Sequence, residues 1–290
     1  MRNKTAEEIT ADVLRTFENT ADPRLKQVMQ SLVKHLHAFV KDVRPTTQEW
    51  LDALEFLKDT GKYCDDTRNE FILLCDTLGV SILIDLINNG KAEGATESTL
   101  LGPVHRFGAP ELPHGANIAA GSPDGVPTVV KCRVLDLRRN PVADALIDVW
   151  QANGDGFYDS QIPELDGKMD CRGRFRSDEG GRFFFRTVRP KFYSVPVDGS
   201  VGRMLRAVSR HSMRPSHIHF MINANGYESV TTHIFDANDS HLEGGDTTFA
   251  VKQSLIRPFV LRDKPDDEAK RMGIDSAYCL VDLEFVLQAS

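Results

Sequence analysis

The sequence predicts an α+β protein: an all-helical N-terminal domain over residues 1–95, followed over 96–290 by a mainly-β antiparallel sandwich. Three observations carry this. Before about residue 90, apolar side chains recur at three- and four-residue steps. After it, short β-rich runs alternate with Gly, Pro, Asn and Asp clusters. Between them lies a loop-like stretch, GKAEGATESTLLGP.

The helical half can be read element by element. From Asp22 to Val43, the residues Leu25, Val28, Met29, Leu32, Val33, Leu36, Phe39 and Val40 form one stripe of an amphipathic helix. Thr5 with Glu8, Thr46 with Glu49 and Thr67 with Glu70 carry the capping-box pattern, a hydroxyl and a carboxylate that satisfy free amides of a first turn. Four helices are expected. The apolar stripe needs a partner, and two stay open: the helices form a lid on the sandwich, or they join a second copy. In the second half the expected strands are Thr128–Leu137, Leu146–Gln151, Arg182–Thr187, Ser216–Asn223, Val230–Phe235 and Cys279–Gln288. Runs so short and so spaced suggest an antiparallel sandwich.

Composition narrows the function. A chain of 290 residues, 41% hydrophobic and 27% charged, can bury a full core as one domain or two. The net charge of −7 is spread without a basic stripe, which argues against a nucleic-acid partner. The start, MRNKTAEEIT, lacks the apolar stretch of a signal peptide. The most apolar helix, around Val80 to Ile87, is interrupted by Asp85 and is too short for a bilayer. No membrane partner and a cytoplasmic location are expected. The five cysteines are odd in number and form no CxxC pair, which argues against a disulfide framework or zinc knuckle.

The strongest local signal is Pro215-Ser216-His217-Ile218-His219-Phe220. Positions i and i+2 of a strand share a face, so His217 and His219 can offer two imidazoles to one metal while Ile218 faces the other layer. Alone, this pair also suits two ordinary strand histidines. Two of the five tyrosines sit in punctuated settings: Tyr158 at the end of Gln151-Ala152-Asn153-Gly154-Asp155-Gly156-Phe157-Tyr158, and Tyr193 within Pro190-Lys191-Phe192-Tyr193-Ser194-Val195-Pro196. Singly, each suits a packing role equally well.

Together these segments resemble the intradiol ring-cleavage dioxygenases, of the catechol and hydroxyquinol 1,2-dioxygenase type. The resemblance rests on Asn140-Pro141-Val142-Ala143-Asp144-Ala145-Leu146-Ile147-Asp148-Val149-Trp150-Gln151-Ala152-Asn153, on Gly156-Phe157-Tyr158, and on Arg210-His211-Ser212-Met213-Arg214 leading into the histidine segment. The order Tyr158, Tyr193, His217, His219 agrees as well. The resemblance implies one Fe(3+) per chain, with Tyr158 and His217 as equatorial ligands and Tyr193 and His219 as the axial pair. It implies that Arg214 stabilises the bound substrate. It also implies a homodimer formed through the N-terminal helices, with lipid held between them. Two positions depart from the pattern. His233 stands where many members have glutamine, and can serve the same hydrogen-bonding role. Asn140 stands where a turn glycine is usual, and asparagine tolerates that backbone.

These residues suit the implied chemistry. A trivalent cation favours the phenolate form of tyrosine, and hard anionic oxygens hold iron ferric. By resemblance, an aromatic diol binds as a dianion, Tyr193 and a hydroxide are displaced and take up its protons, and O2 opens the ring between the hydroxyls to a muconate-type diacid. The resemblance implies a pocket of Leu73 and Asp76 on the fourth helix, Val104, Gly108, Ala109 and Pro110 in the next loop, Val195 and Pro196 after Tyr193, and Phe249 with Ala250. A carboxylate at Asp76 can accept a hydrogen bond from a third ring hydroxyl. This favours hydroxyquinol (1,2,4-trihydroxybenzene), with catechol the alternative. A zinc hydrolase is a poorer fit, since zinc seldom takes two tyrosines. A non-catalytic sandwich module leaves the ordered Tyr, Tyr, His, His set unexplained.

Overall fold

The computed structural model describes residues 3–65, 68–122 and 124–290. Contacts divide the chain into two compact units, Met1–Asp59 and Thr60–Ser290. The first holds helices α1 (Ala6–Thr16) and α2 (Pro23–Val43) and most of α3 (Thr47–Lys62). Thr5 and Glu8 cap α1 reciprocally, and Thr46 and Glu49 do the same for α3. Asp22 caps α2 ahead of Pro23. The α2 stripe is laid out as the sequence implies, yet Leu25, Val28, Leu32, Leu36, Phe39 and Val40 all remain exposed.

In the second unit, α4 (Glu70–Thr77) and α5 (Val80–Asn88) come first. Thr67 lies outside the described residues; Asn69 caps α4 by accepting from the Ile72 amide. Among the described residues, five helices therefore replace the four expected up to residue 88. The extra break falls at Gly79, whose φ of +73° ends α4 in the left-handed conformation that glycine adopts without strain.

The strands follow: β1 (Pro127–Asp136), β2 (Leu146–Gln151), β3 (Arg172–Arg176), β4 (Arg182–Val188) and the two-residue β5 (Tyr193–Ser194). After helix α6 (Ser200–Ala207) come β6 (Met213–Arg214), β7 (His217–Asn223), β8 (Val230–Asp236), β9 (Ile256–Arg257) and β10 (Val260–Arg262). Helix α7 (Asp267–Arg271) precedes β11 (Tyr278–Leu287). All six expected strands are present, to within one residue at each end.

One sheet has the order β10-β11-β1-β4 and the other β3-β2-β7-β8-β9, with β5 and β6 pairing apart. Most pairs are antiparallel, as a sandwich requires. However, β1 runs parallel to β11, and β8 to β9. Such partners need only a long connection, and some 140 residues separate β1 from β11.

Alternation along the strands sets the core. Ile147 and Val149 on β2 and Ile218, Phe220 and Ile222 on β7 meet Val130 and Val134 on β1, Phe183 and Phe185 on β4, and Val281 and Phe285 on β11. Phe220 lies 4.8 Å from Phe285 and 6.4 Å from Phe185 between ring centroids, so it bridges the sheets. The odd-numbered residues of β7, His217 and His219, face away from this core.

Two elements have no local signature. β3 reads Arg-Gly-Arg-Phe-Arg, with only Phe175 and Gly173 turned to the core. Helix α6 has no side-chain cap of its own; its Val201 amide donates to Glu70 on α4, which is fully buried. Among the described residues no helix is long and apolar enough to cross a membrane. Replacing Phe220 by Ala removes the ring that joins the two sheets and is expected to cost about 3–5 kcal/mol in chemical denaturation.

Candidate metal and substrate site

The outer face of the five-stranded sheet carries a row of side chains fixed by strand register. Arg172 on β3 lies opposite Trp150 on β2, Trp150 opposite His219 on β7, and His219 opposite His233 on β8. All four are buried. Trp150 stacks on His219, with centroids 4.7 Å apart and planes 14° from parallel. His105 meets Trp150 edge-on at 4.5 Å, and its Nε2 lies 3.3 Å from Asp148.

The tyrosines arrive from loops above this face. Asn153 Oδ1 accepts from the Asp155 and Phe157 amides and turns the chain after β2. At Gly156 the backbone has a φ of +92° and passes so near the Phe192 carbonyl that a Cβ would stand 2.9 Å from it. This close approach brings Tyr158 beside Tyr193. Asp159, fully buried, then ties the turn down: it accepts two bonds from Arg172, at 2.7 and 2.8 Å, and one from Arg106 at 3.1 Å. Tyr193 on β5 is paired in register with Arg214 on β6.

Four donors converge. Tyr158 Oη lies 2.9 Å from His219 Nε2 and 3.3 Å from Tyr193 Oη, and His217 Nε2 lies 3.1 Å from His219 Nε2. His217 Nδ1 lies 2.6 Å from the Pro215 carbonyl, which only accepts, so Nδ1 holds the proton and Nε2 is a bare lone pair. Burial, followed by the charge of Arg214, lowers the His217 pKa to about 3. Burial and neighbouring imidazoles push His219 well down. Burial and the adjacent Tyr193 push the Tyr158 phenol well up. Neutral rings and phenols crowded this closely, with lone pairs facing one another, fit the coordination of a cation. The set also suits the ferric ion: hard oxygens that become anionic, with two imidazoles.

His233 is closer to this cluster than a loose reading of its motif implies. Ring nitrogens of His217, His219 and His233 all lie within 4.8 Å of one another. Burial and His217 push its pKa well below the ordinary value, so it is neutral, and its Nδ1 lies 3.4 Å from Arg214 Nη2. Arg214, buried, also donates from Nη1 to Tyr193 Oη at 3.1 Å and grips Asp246 through Nε and Nη2, each at 3.1 Å.

A cavity of about 90 Å³ opens over the cluster. Of the expected pocket residues, Leu73, Asp76, Val104, Val195, Pro196 and Arg214 line it, beside Tyr158 and Tyr193. The structure does not bring the others to the cavity wall. Ala109 is fully buried, and it and Pro110 offer their carbonyls to Arg174 on β3. Gly108 has no heavy atom within 4 Å of where a Cβ would stand. Phe249 is half exposed beneath the Arg210 guanidinium, and Ala250 belongs to the core between the sheets. Residues not singled out from the sequence complete the wall, notably Leu100, Gly102, Gln161 and Thr248. Gln161 had a signal, standing three residues after Tyr158, whose amide it caps. Asp246, Asp159 and Arg172 had none beyond being charged.

Residues 101–281 match the family model described as Dioxygenase, and residues 22–96 match Catechol dioxygenase N terminus. The chain belongs to the intradiol ring-cleavage dioxygenase family. It is 44% identical to the hydroxyquinol 1,2-dioxygenase of a Rhizobium species over 276 residues, covering 95% of this chain and 92% of that one. Among solved structures, hydroxyquinol 1,2-dioxygenase from Pseudomonas putida aligns with a TM-score of 0.90 at 44% identity, covering 98% of this chain and 99% of that one. Catechol 1,2-dioxygenase from Acinetobacter radioresistens aligns with a TM-score of 0.87 at 26% identity, over 100% and 95% of the two chains.

The Asp159 clamp yields a clear expectation. Asp159→Ala leaves Arg172 buried without its partner and is expected to cost about 3–5 kcal/mol, read by chemical denaturation. An equivalent change at Glu111, whose partner Arg176 is exposed, is expected to cost less than about 1 kcal/mol.

Proposed function

We propose that this chain is a hydroxyquinol 1,2-dioxygenase that opens the ring of 1,2,4-trihydroxybenzene between its vicinal hydroxyls with O2, giving 3-hydroxy-cis,cis-muconate or its tautomer maleylacetate. Tyr158, Tyr193, His217 and His219 would hold one Fe(3+). When bound, such an ion supplies the electron withdrawal that makes a ligated diol reactive toward O2.

The chain's own residues prepare that reaction. Tyr193 Oη, which lines the cavity, would take a phenolic proton from an arriving diol. Arg214 Nη1 stays within reach of Tyr193 Oη and offers a donor to charge that builds beside it. His233, neutral, accepts from the same guanidinium. Trp150 and His105 fill the space behind His219 and keep water from it.

The observation that carries the substrate is Asp76. It is buried in the cavity wall, and its pKa is raised by burial, against a bond from Ser81 and the charge of Arg214. A carboxyl so placed needs a polar partner, and the third hydroxyl of hydroxyquinol is one. The higher identity to a hydroxyquinol enzyme than to a catechol enzyme supports the same choice. Catechol, giving cis,cis-muconate, is the second reading, favoured by the apolar part of the wall, Leu73, Leu100, Val104, Val195 and Pro196. The exposed α2 stripe supports a homodimer built through the helices, with apolar space for lipid.

O2 uptake with a panel of diols, with product followed by ultraviolet absorbance, tests the reading. Hydroxyquinol is expected to rank first; a protein that consumes no O2 with any diol, or is colourless when loaded with iron, contradicts it. Tyr193→Phe is expected to lower kcat/KM about 10²–10⁴-fold. Asp76→Ala is expected to lower turnover of hydroxyquinol more than that of catechol; equal losses remove Asp76 from substrate choice.

A further inference from the structure

We propose that Asp246 is a positioning residue for the ring-opening reaction: it fixes the Arg214 guanidinium so that one edge, Nη1, remains aimed at Tyr193 Oη and the cavity. This rests on the reading of the site as a diol-cleaving centre.

The geometry is a fork held from behind. Asp246 Oδ1 accepts from Arg214 Nε and Oδ2 from Nη2, each at 3.1 Å, with both side chains buried. A bidentate carboxylate fixes the plane of a guanidinium. With Nε and Nη2 so engaged, Nη1 points at Tyr193 Oη, 3.1 Å away. Asp246 itself is not part of the cavity wall, so it acts through Arg214 rather than on substrate.

The carboxylate is in turn held by its own loop. Oδ1 accepts from the Thr248 amide and hydroxyl, each at 3.0 Å. The loop is stitched to the segment that carries Arg214: the Thr247 amide donates to the Met213 carbonyl, the Thr247 hydroxyl to the His211 carbonyl, and Arg210 Nη2 to the Thr247 carbonyl. Arg210 Nη1 also donates to the Thr77 carbonyl at the end of α4. One loop therefore orients Arg214 and places Thr248 in the cavity wall, and the same segment anchors the helix that bears Asp76.

Stability is a weak reason for such a pair. A buried ion pair adds little net stability over apolar residues of the same volume. An arginine meant only to satisfy Asp246 has no need of a third edge turned into a cavity. Moreover, the pair is neutral as a whole, so Arg214 offers a directed hydrogen bond more than an added charge.

A double-mutant cycle on the iron-loaded enzyme tests this, using Asp246→Asn, Arg214→Met and the double variant with the best wild-type diol. Asp246→Asn is expected to lower kcat/KM about 10- to 100-fold, and the double variant to fall no further than Arg214→Met alone. Losses that multiply overturn the proposal. A second readout is the visible tyrosinate band of the resting enzyme. Asp246→Asn is expected to shift it, because Tyr193 loses its oriented donor, and a band that stays in place overturns the proposal. Should Asp246→Asn not fold, Asp246→Glu, which keeps the charge one methylene further out, is run through the same cycle with the same two criteria. Wild-type protein inactive on every diol defeats the functional reading before any variant is compared.

Discussion

The constraint on which this molecule depends is that two phenols and two neutral imidazoles be crowded together, linked by contacts of 2.9–3.3 Å, at the floor of a cavity. Left alone, such a cluster is unfavourable, because lone pairs face lone pairs and too few protons bridge them. The fold supports it by placing it on a surface that has no freedom to relax. His217 and His219 alternate with Ile218 and Phe220, and those apolar neighbours are locked in the core between the sheets. To move either imidazole, the core itself must slip.

Each donor is then held by a separate anchor. The Pro215 carbonyl fixes the ring of His217, the face of Trp150 fixes His219, the Asp159–Arg172 pair fixes the Tyr158 turn, and pairing with β6 fixes Tyr193. These anchors lie on different stretches of chain, so the cluster reports on the integrity of the whole second unit. One of them, the Asp159–Arg172 pair, is charged and removed from solvent, where a lost partner is far more costly than on the surface.

What the sequence made legible follows the same physics. The alternation of β7 placed His217 and His219 on one face, because a period of two leaves no choice. The strands that make the sandwich were readable for the same reason. β3 was not: its three arginines mask the strand pattern, and one of them, Arg172, is buried by its ion pair with Asp159 instead of being solvated. Nor was α6, since its capping group comes from Glu70, some 130 residues earlier. The break at Gly79 needed the backbone angle, which composition does not reveal. In the pocket, Leu73, Asp76, Val104, Val195 and Pro196 line the wall, whereas Gly108, Ala109, Pro110, Phe249 and Ala250 lie elsewhere and Thr248 and Gln161 take part. Loops decide such positions by long-range hydrogen bonds, which leave little trace in local sequence.

Helix α4 performs two tasks at once. Its first turn supplies Glu70 to the start of α6, while Leu73 and Asp76, one and two turns on, face the cavity. The wall opposite, Val195 and Pro196, lies just before α6. The two sides of the pocket are thus coupled by one carboxylate, and substitutions on them will show epistasis. Lineages that drift toward a new aromatic substrate must change both sides in step, and engineered libraries that vary one wall alone will sample mostly misaligned pockets.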